Sequence, residues 1–190
     1  MVVPFSGHVI SGPAMQASST ALVRTSDDQA VDLARPPGRR LTLLFFGYTK
    51  CEDFCPMVLT NLAMAMSRLD PDVRNQVAVV FVTTDPQRDT AEVVNRYLKH
   101  IDPAFVGVRG PIADVAALAR SVGVYVDAGG SLEGGGYDPG EHGTLTVALD
   151  SRGRSKVFWP METVAKNYAA DIAFMLEGAG TELRVPLPAE

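Results

Sequence analysis

Cys51 and Cys55 are the two cysteines of this 190-residue chain, and their spacing makes them a pair. Four residues apart in a helical turn, two side chains leave from one face, with α-carbons about 6 Å apart and within disulfide reach. A helix N-terminus at this point would favour thiolate over thiol. Such a pair can exchange disulfides or hold a soft metal ion. Two cysteines cannot make a four-thiolate cluster, and structural zinc needs four ligands. Besides carboxylates, the remaining donors are His8, His100 and His142. Two thiolates and one imidazole form a three-ligand set that fits Cu(I), which accepts low coordination. His8 lies in an irregular lead-in and His100 at the end of an amphipathic helix, so both read as ordinary solvated residues. His142 closes a long Gly-rich stretch just before a strand. From the residues alone it stands evenly between a ligand and a surface histidine.

The elements around the pair follow from hydrophobic period. Leu41–Phe46 is a continuous apolar run, which predicts a strand buried on both faces. Gly47 stops it, and Pro56 falls in the first turn of the next helix, where a missing N–H costs little. Helical spacing over Pro56–Leu69 ends at Asp70-Pro71. Gln76–Thr84 is the second buried strand, and Asp85–Thr90 a loop. A helix is predicted over Ala91–His100, a short strand over Phe105–Val108 and a helix over Ile112–Ser121. Val124–Val126 reads as a brief strand and Asp127–Gly140 as a polar loop. Thr144–Leu149 and Ser155–Trp159 form a hairpin around Asp150–Gly153, followed by a helix over Thr163–Leu176. Upstream, Thr20–Arg24 and Gln29–Leu33 bracket a turn, giving an N-terminal hairpin extension.

This order implies an α/β fold, a central mixed sheet flanked by helices. With a dithiol at the end of the first central strand, it resembles a thioredoxin-like fold. In such proteins the segment entering the strand after His142 passes close to the dithiol, which gives His142 a topological reason to reach Cys51 and Cys55. The expected organisation is an irregular lead-in (1–19), one domain (20–177) and a loose tail (178–190).

Composition narrows the function classes. The formal net charge is −5, with no long basic block, which argues against nucleic acid as a partner. No stretch of 18 apolar residues exists to span a membrane. Met1–Gly12 has neither the basic start nor the apolar centre of a signal peptide. A cytosolic protein and one whose targeting segment has been removed both fit.

Phe45-Phe46-Gly47-Tyr48-Thr49-Lys50-Cys51-Glu52-Asp53-Phe54-Cys55-Pro56 resembles the signature of the Sco/SenC family of copper chaperones for cytochrome c oxidase. Phe81–Thr90 is similar to that family's second block, ending in Asp-Pro-x-Arg-Asp-Thr. Glu141-His142-Gly143 stands where the family has its metal-binding histidine, and Asp150–Gly153 resembles its following turn. The blocks keep family order across roughly 33–159. The resemblance implies that Cys51, Cys55 and His142 bind one copper ion, as Cu(I) and also Cu(II). It implies a monomeric binding and transfer protein rather than a turnover enzyme. The partner would be the copper-receiving subunit of cytochrome c oxidase, with another copper chaperone or a thiol reductant as a further partner. The expected place is extracytoplasmic, at the outer face of the cytoplasmic membrane, in a mature or soluble form without its anchor. Two positions depart from the family pattern. Glu52 replaces a frequent Pro and would raise the pKa of the adjacent thiol; Gly143 replaces a common Ser and removes a hydroxyl beside the imidazole.

Asp85 has two readings, opening a turn before Pro86 or hydrogen-bonding near the metal site. An alternative function is thiol–disulfide exchange, keeping the oxidase's copper-ligand cysteines reduced, with Cys51 attacking and Cys55 resolving. Thioredoxin-type reductants usually carry a Pro facing the disulfide where Glu141-His142-Gly143 stands here, and the nearest is Pro139. A thiol peroxidase fits less well, because Tyr48 occupies the position three before the cysteine where peroxiredoxins have Thr.

Overall fold

The computed structural model describes residues 4–36, 38–127, 143–178 and 180–187. In chain order the elements are β1 (His8–Val9), β2 (Met15–Gln16), β3 (Leu22–Arg24), β4 (Ala30–Val31), β5 (Leu41–Gly47), α1 (Phe54–Arg68) and α2 (Pro71–Arg74). There follow β6 (Val77–Thr83), α3 (Ala91–Ile101), β7 (Val106–Arg109), α4 (Ile112–Ser121), β8 (Thr146–Asp150), β9 (Arg154–Trp159) and α5 (Ala165–Met175).

The apolar run of β5 is buried at every residue, because helices cover both faces of the sheet. β5 pairs in parallel with β6, and β6 with β7; the connections run through α1–α2 and through α3, as parallel pairing requires. β8 runs antiparallel to β5 on its other side, and β9 antiparallel to β8. The order is β1-β9-β8-β5-β6-β7-β3-β4, with β2 also on β9. The predicted N-terminal hairpin is β3–β4, and it extends the sheet by pairing β3 with β7.

Alternation along β5 separates two cores. Leu41, Leu43 and Phe45 face α1, α3 and α5 in one apolar cluster, which also contains Cys51 and Cys55. Leu44 and Phe46 face α4 and the β3–β4 hairpin in the other. Within α1, Met66 is buried and Met64 exposed, so these methionines fill the core and meet solvent rather than forming a sulfur cluster.

Three expectations are corrected. The lead-in is not irregular throughout: His8–Val9 and Met15–Gln16 pair with β9. Asp171 of α5 explains why the lead-in docks. Its buried carboxylate accepts from Ser6 N–H (3.1 Å), Ser6 Oγ (2.7 Å), Gly7 N–H (2.9 Å) and Trp159 Nε1 (2.8 Å). The tail after α5 also packs, through Leu183 and Val185. Arg184 N–H donates to Met175 O at 2.9 Å, the Arg184 guanidinium lies 4.4 Å from the Phe174 ring centroid, and Leu183 and Val185 cover the first core. Beyond α4, the predicted Val124–Val126 strand is reduced to a single bridge residue at Val126.

Candidate metal site

The two thiols reach one point from different kinds of backbone. Cys51 precedes α1, in the turn where its N–H donates to Tyr48 O at 3.2 Å. Cys55 lies inside α1, whose first turn also holds Pro56. The expectation of one helical turn carrying both is therefore corrected: the helix begins at Phe54, so only Cys55 has helical backbone. The thiols nevertheless meet. Their side chains hydrogen-bond to each other, both are buried, and neither is in a disulfide.

Gly47 makes room for them. A Cβ built there would stand 2.8 Å from Cys55 Sγ and 3.1 Å from Phe45 Cε1 and Phe81 Cε2. The Cys55 sulfur thus sits against Gly47 at the end of β5. The Gly47 carbonyl is held by Thr84, whose N–H donates at 2.7 Å and whose Oγ1 donates at 3.2 Å.

This niche sets the protonation of Cys55. Burial pushes its thiol far up, the Cys51 hydrogen bond raises it further, and a Tyr48 backbone hydrogen bond opposes both. The expected thiolate-favouring helix terminus is overridden because the sulfur is removed from water. Glu52 is exposed, so water screens its carboxylate.

Asp89, absent from the sequence-level candidates, is the main polar support of the cysteine turn. Its carboxylate is 1% exposed. It accepts from Thr49 N–H (3.0 Å), Thr49 Oγ1 (2.6 Å) and Thr83 Oγ1 (2.6 Å). One carboxylate thus ties the residue two before Cys51 to the end of β6. Its sequence signal is the second aspartate of Asp-Pro-Gln-Arg-Asp-Thr, six residues after Thr83. Asp85 is buried as well, with its carboxylate 2.7 Å from Arg88 Nε and its N–H donating to Thr83 Oγ1 at 3.0 Å. It shapes the loop on which Asp89 sits, since its carbonyl accepts from Asp89 N–H at 2.8 Å.

The histidines separate clearly. His8 stacks on Phe158, with ring centroids 5.1 Å apart. His100 Nδ1 lies 2.7 Å from Arg96 O at the end of α3. His142 lies outside the described residues, as does Glu141. The neighbouring Gly143 is described: its N–H donates to Tyr125 O at 2.6 Å, and a Cβ there would stand 3.1 Å from Val124 Cγ1. The side chain missing at this position is one for which Val124 would have to give way. From Gly143 the chain enters β8, whose Thr146 pairs with Phe45. Among the described residues, no group of three or more His, Cys, Asp or Glu side chains could hold a metal ion. The cysteine pair supplies two soft donors in a water-poor niche, a donor set suited to Cu(I).

A family model for SCO1/SenC matches residues 19–177. The chain belongs to the SCO1/SenC family. Over 102 residues it is 35% identical to Protein SCO1 homolog 1, mitochondrial, of Arabidopsis thaliana, a stretch covering 49% of this chain and 30% of that protein. The chain thus spans about a third of the length of that SCO1/SenC relative. Among solved structures it is similar to apo Sco1 from Thermus thermophilus, with 29% identity, a TM-score of 0.71, and 90% of this chain and 97% of that one covered. It is also similar to Arabidopsis thaliana ScoI with copper bound, with 27% identity, a TM-score of 0.68, and 80% and 92% covered. The SCO1/SenC fold, a mixed sheet flanked by helices, is the fold expected from the order of elements.

Proposed function

We propose that this chain binds one copper ion through Cys51, Cys55 and His142 and delivers it to the copper centre of cytochrome c oxidase. The observation that carries the reading is the meeting of two unbridged, buried thiols at the end of β5. The chain after His142 enters β8 beside that same strand end, with Thr146 opposite Phe45. Copper is the cargo here. Binding replaces the Cys55 proton with the metal, so a thiol kept neutral by burial becomes a ligand without leaving a buried charge uncompensated. Cys51 is 6% exposed and Cys55 0%. Cys51 is therefore the sulfur that an incoming donor reaches first, and Cys55 the one that holds the ion longest. Copper passes to the recipient's donors by ligand exchange, with no change in its oxidation state. Asp85 and Asp89 support the site through the loop they share. The site of action is the outer face of the cytoplasmic membrane; no helix among the described residues is long and apolar enough to cross one.

Thiol–disulfide exchange by the same pair is the weaker reading. Resolution of a mixed disulfide needs the second sulfur as a thiolate, and burial disfavours that form of Cys55, the resolving sulfur. Copper content and spectroscopy of the reduced protein beside His142→Ala separate the two. The copper reading expects one ion per chain, with weakened retention and an altered spectrum in the variant. Identical content and spectrum in both proteins would remove His142 from the site.

A further inference from the structure

The Tyr97 hydroxyl is a buried donor without a hydrogen-bond partner among the described residues. Buried polar atoms are nearly always paired, and one left unpaired carries a desolvation cost. Tyr97 lies on α3, packed against the apolar cluster that contains Cys51 and Cys55. Its ring centroid is 5.8 Å from that of Phe81, and Phe81 Cε2 and Cys55 Sγ both flank Gly47, 3.1 and 2.8 Å from where its Cβ would stand. After burial itself, the charges that act on the hydroxyl are those of Cys55, Cys51 and Asp89, in that order.

We propose that Tyr97 is a positioning residue of the copper site, whose hydroxyl donates a hydrogen bond to a cysteine sulfur once that sulfur is a metal-bound thiolate. The inference rests on the copper reading above and deepens it. With neutral thiols the donor lacks a strong acceptor, because S–H is itself a weak donor and sulfur a weak acceptor. When copper binds, the sulfur gains charge and the hydroxyl gains a partner of the charge-assisted kind. The orphaned hydroxyl is then a feature of the metal-free protein, satisfied by loading. Hydrogen bonds to a copper thiolate also tune the potential of the ion, so the same contact biases the site between Cu(I) and Cu(II).

Tyr97→Phe tests this with little disturbance, since the ring and its contact with Phe81 remain. Three readouts are compared with wild type: anaerobic Cu(I) competition against bathocuproine disulfonate, the sulfur-to-Cu(II) charge-transfer band, and the thermal midpoint of the metal-free protein. The expected variant binds Cu(I) about twofold to tenfold more weakly, the range of one net hydrogen bond. Its charge-transfer band moves to longer wavelength, and its metal-free midpoint equals or exceeds wild type because an unpaired buried hydroxyl has gone. Wild-type affinity with an unmoved band overturns the inference while leaving the copper reading intact. Weaker binding matched by a lower metal-free midpoint overturns it also, because the hydroxyl would then be structural. Failure of the wild type to take up stoichiometric Cu(I) removes the copper reading and this inference together.

Discussion

At the residue scale, the site depends on who holds the turn before Cys51. Asp89 does so with one carboxylate and three donors, two of them from Thr49. Truncation to Asp89→Ala leaves those donors unpaired in a buried place. The expected cost is about 3 kcal/mol in urea unfolding, reduced where water can enter. Asp89→Asn keeps the shape and one acceptor oxygen and should recover part of it. Equal midpoints for wild type and Asp89→Ala would mean that Thr49 finds other partners. The cysteines were legible from spacing, because two thiols four apart in a chain without others point to paired chemistry. Asp89 and Tyr97 were not. Their importance comes from burial and from contacts between β6, α3 and the cysteine turn, which no local pattern encodes.

At the element scale, the strand and helix assignments were legible where the apolar period was strong. β5 and β6 read as continuous apolar runs because both faces are covered, and α4 matches its predicted range, Ile112–Ser121. The strands of the lead-in have no sequence signature, because β1 and β2 have two residues each, too few to carry a period. Their docking comes from an aspartate far along the chain. Asp171→Ala should therefore loosen the lead-in from α5 and β9. The carboxylate accepts the Trp159 indole N–H at 2.8 Å, and Trp159 is the one tryptophan of the chain. The variant should show shifted tryptophan emission, faster proteolysis within residues 4–16, and a stability loss of about 2–4 kcal/mol. Unchanged emission would show that the Asp171–Trp159 bond is not made in solution.

At the scale of the whole molecule, the fold follows from topology. Parallel strands joined by helical crossovers, closed by an antiparallel hairpin, bring the cysteine turn and α3 into one apolar cluster at the end of β5, with β8 paired beside that strand. The sequence order of these pieces was enough to expect that architecture. His142 was reached by the same topology and lies outside the described residues. The buried hydroxyl of Tyr168 offers a global check. Burial raises its pKa to about 12, against lowering by hydrogen bonds from Thr146 and Thr163. The folded state thus prefers the neutral phenol. Its contribution is fully present below the unfolded pKa, about 10, and is lost as pH climbs from there towards 12. Unfolding free energy should fall across that window, and Tyr168→Phe should flatten the fall while losing about 1 kcal/mol at neutral pH from the unpaired Thr146 hydroxyl. An identical alkaline slope in the variant would contradict this.

The claim on which the rest depends is that Cys51, Cys55 and His142 form one copper site. Anaerobic Cu(I) titration of the reduced protein tests it most directly. One ion per chain is expected, with binding lost in Cys51→Ala and in Cys55→Ala and weakened in His142→Ala. Unchanged Cu(I) affinity in all three variants would contradict it.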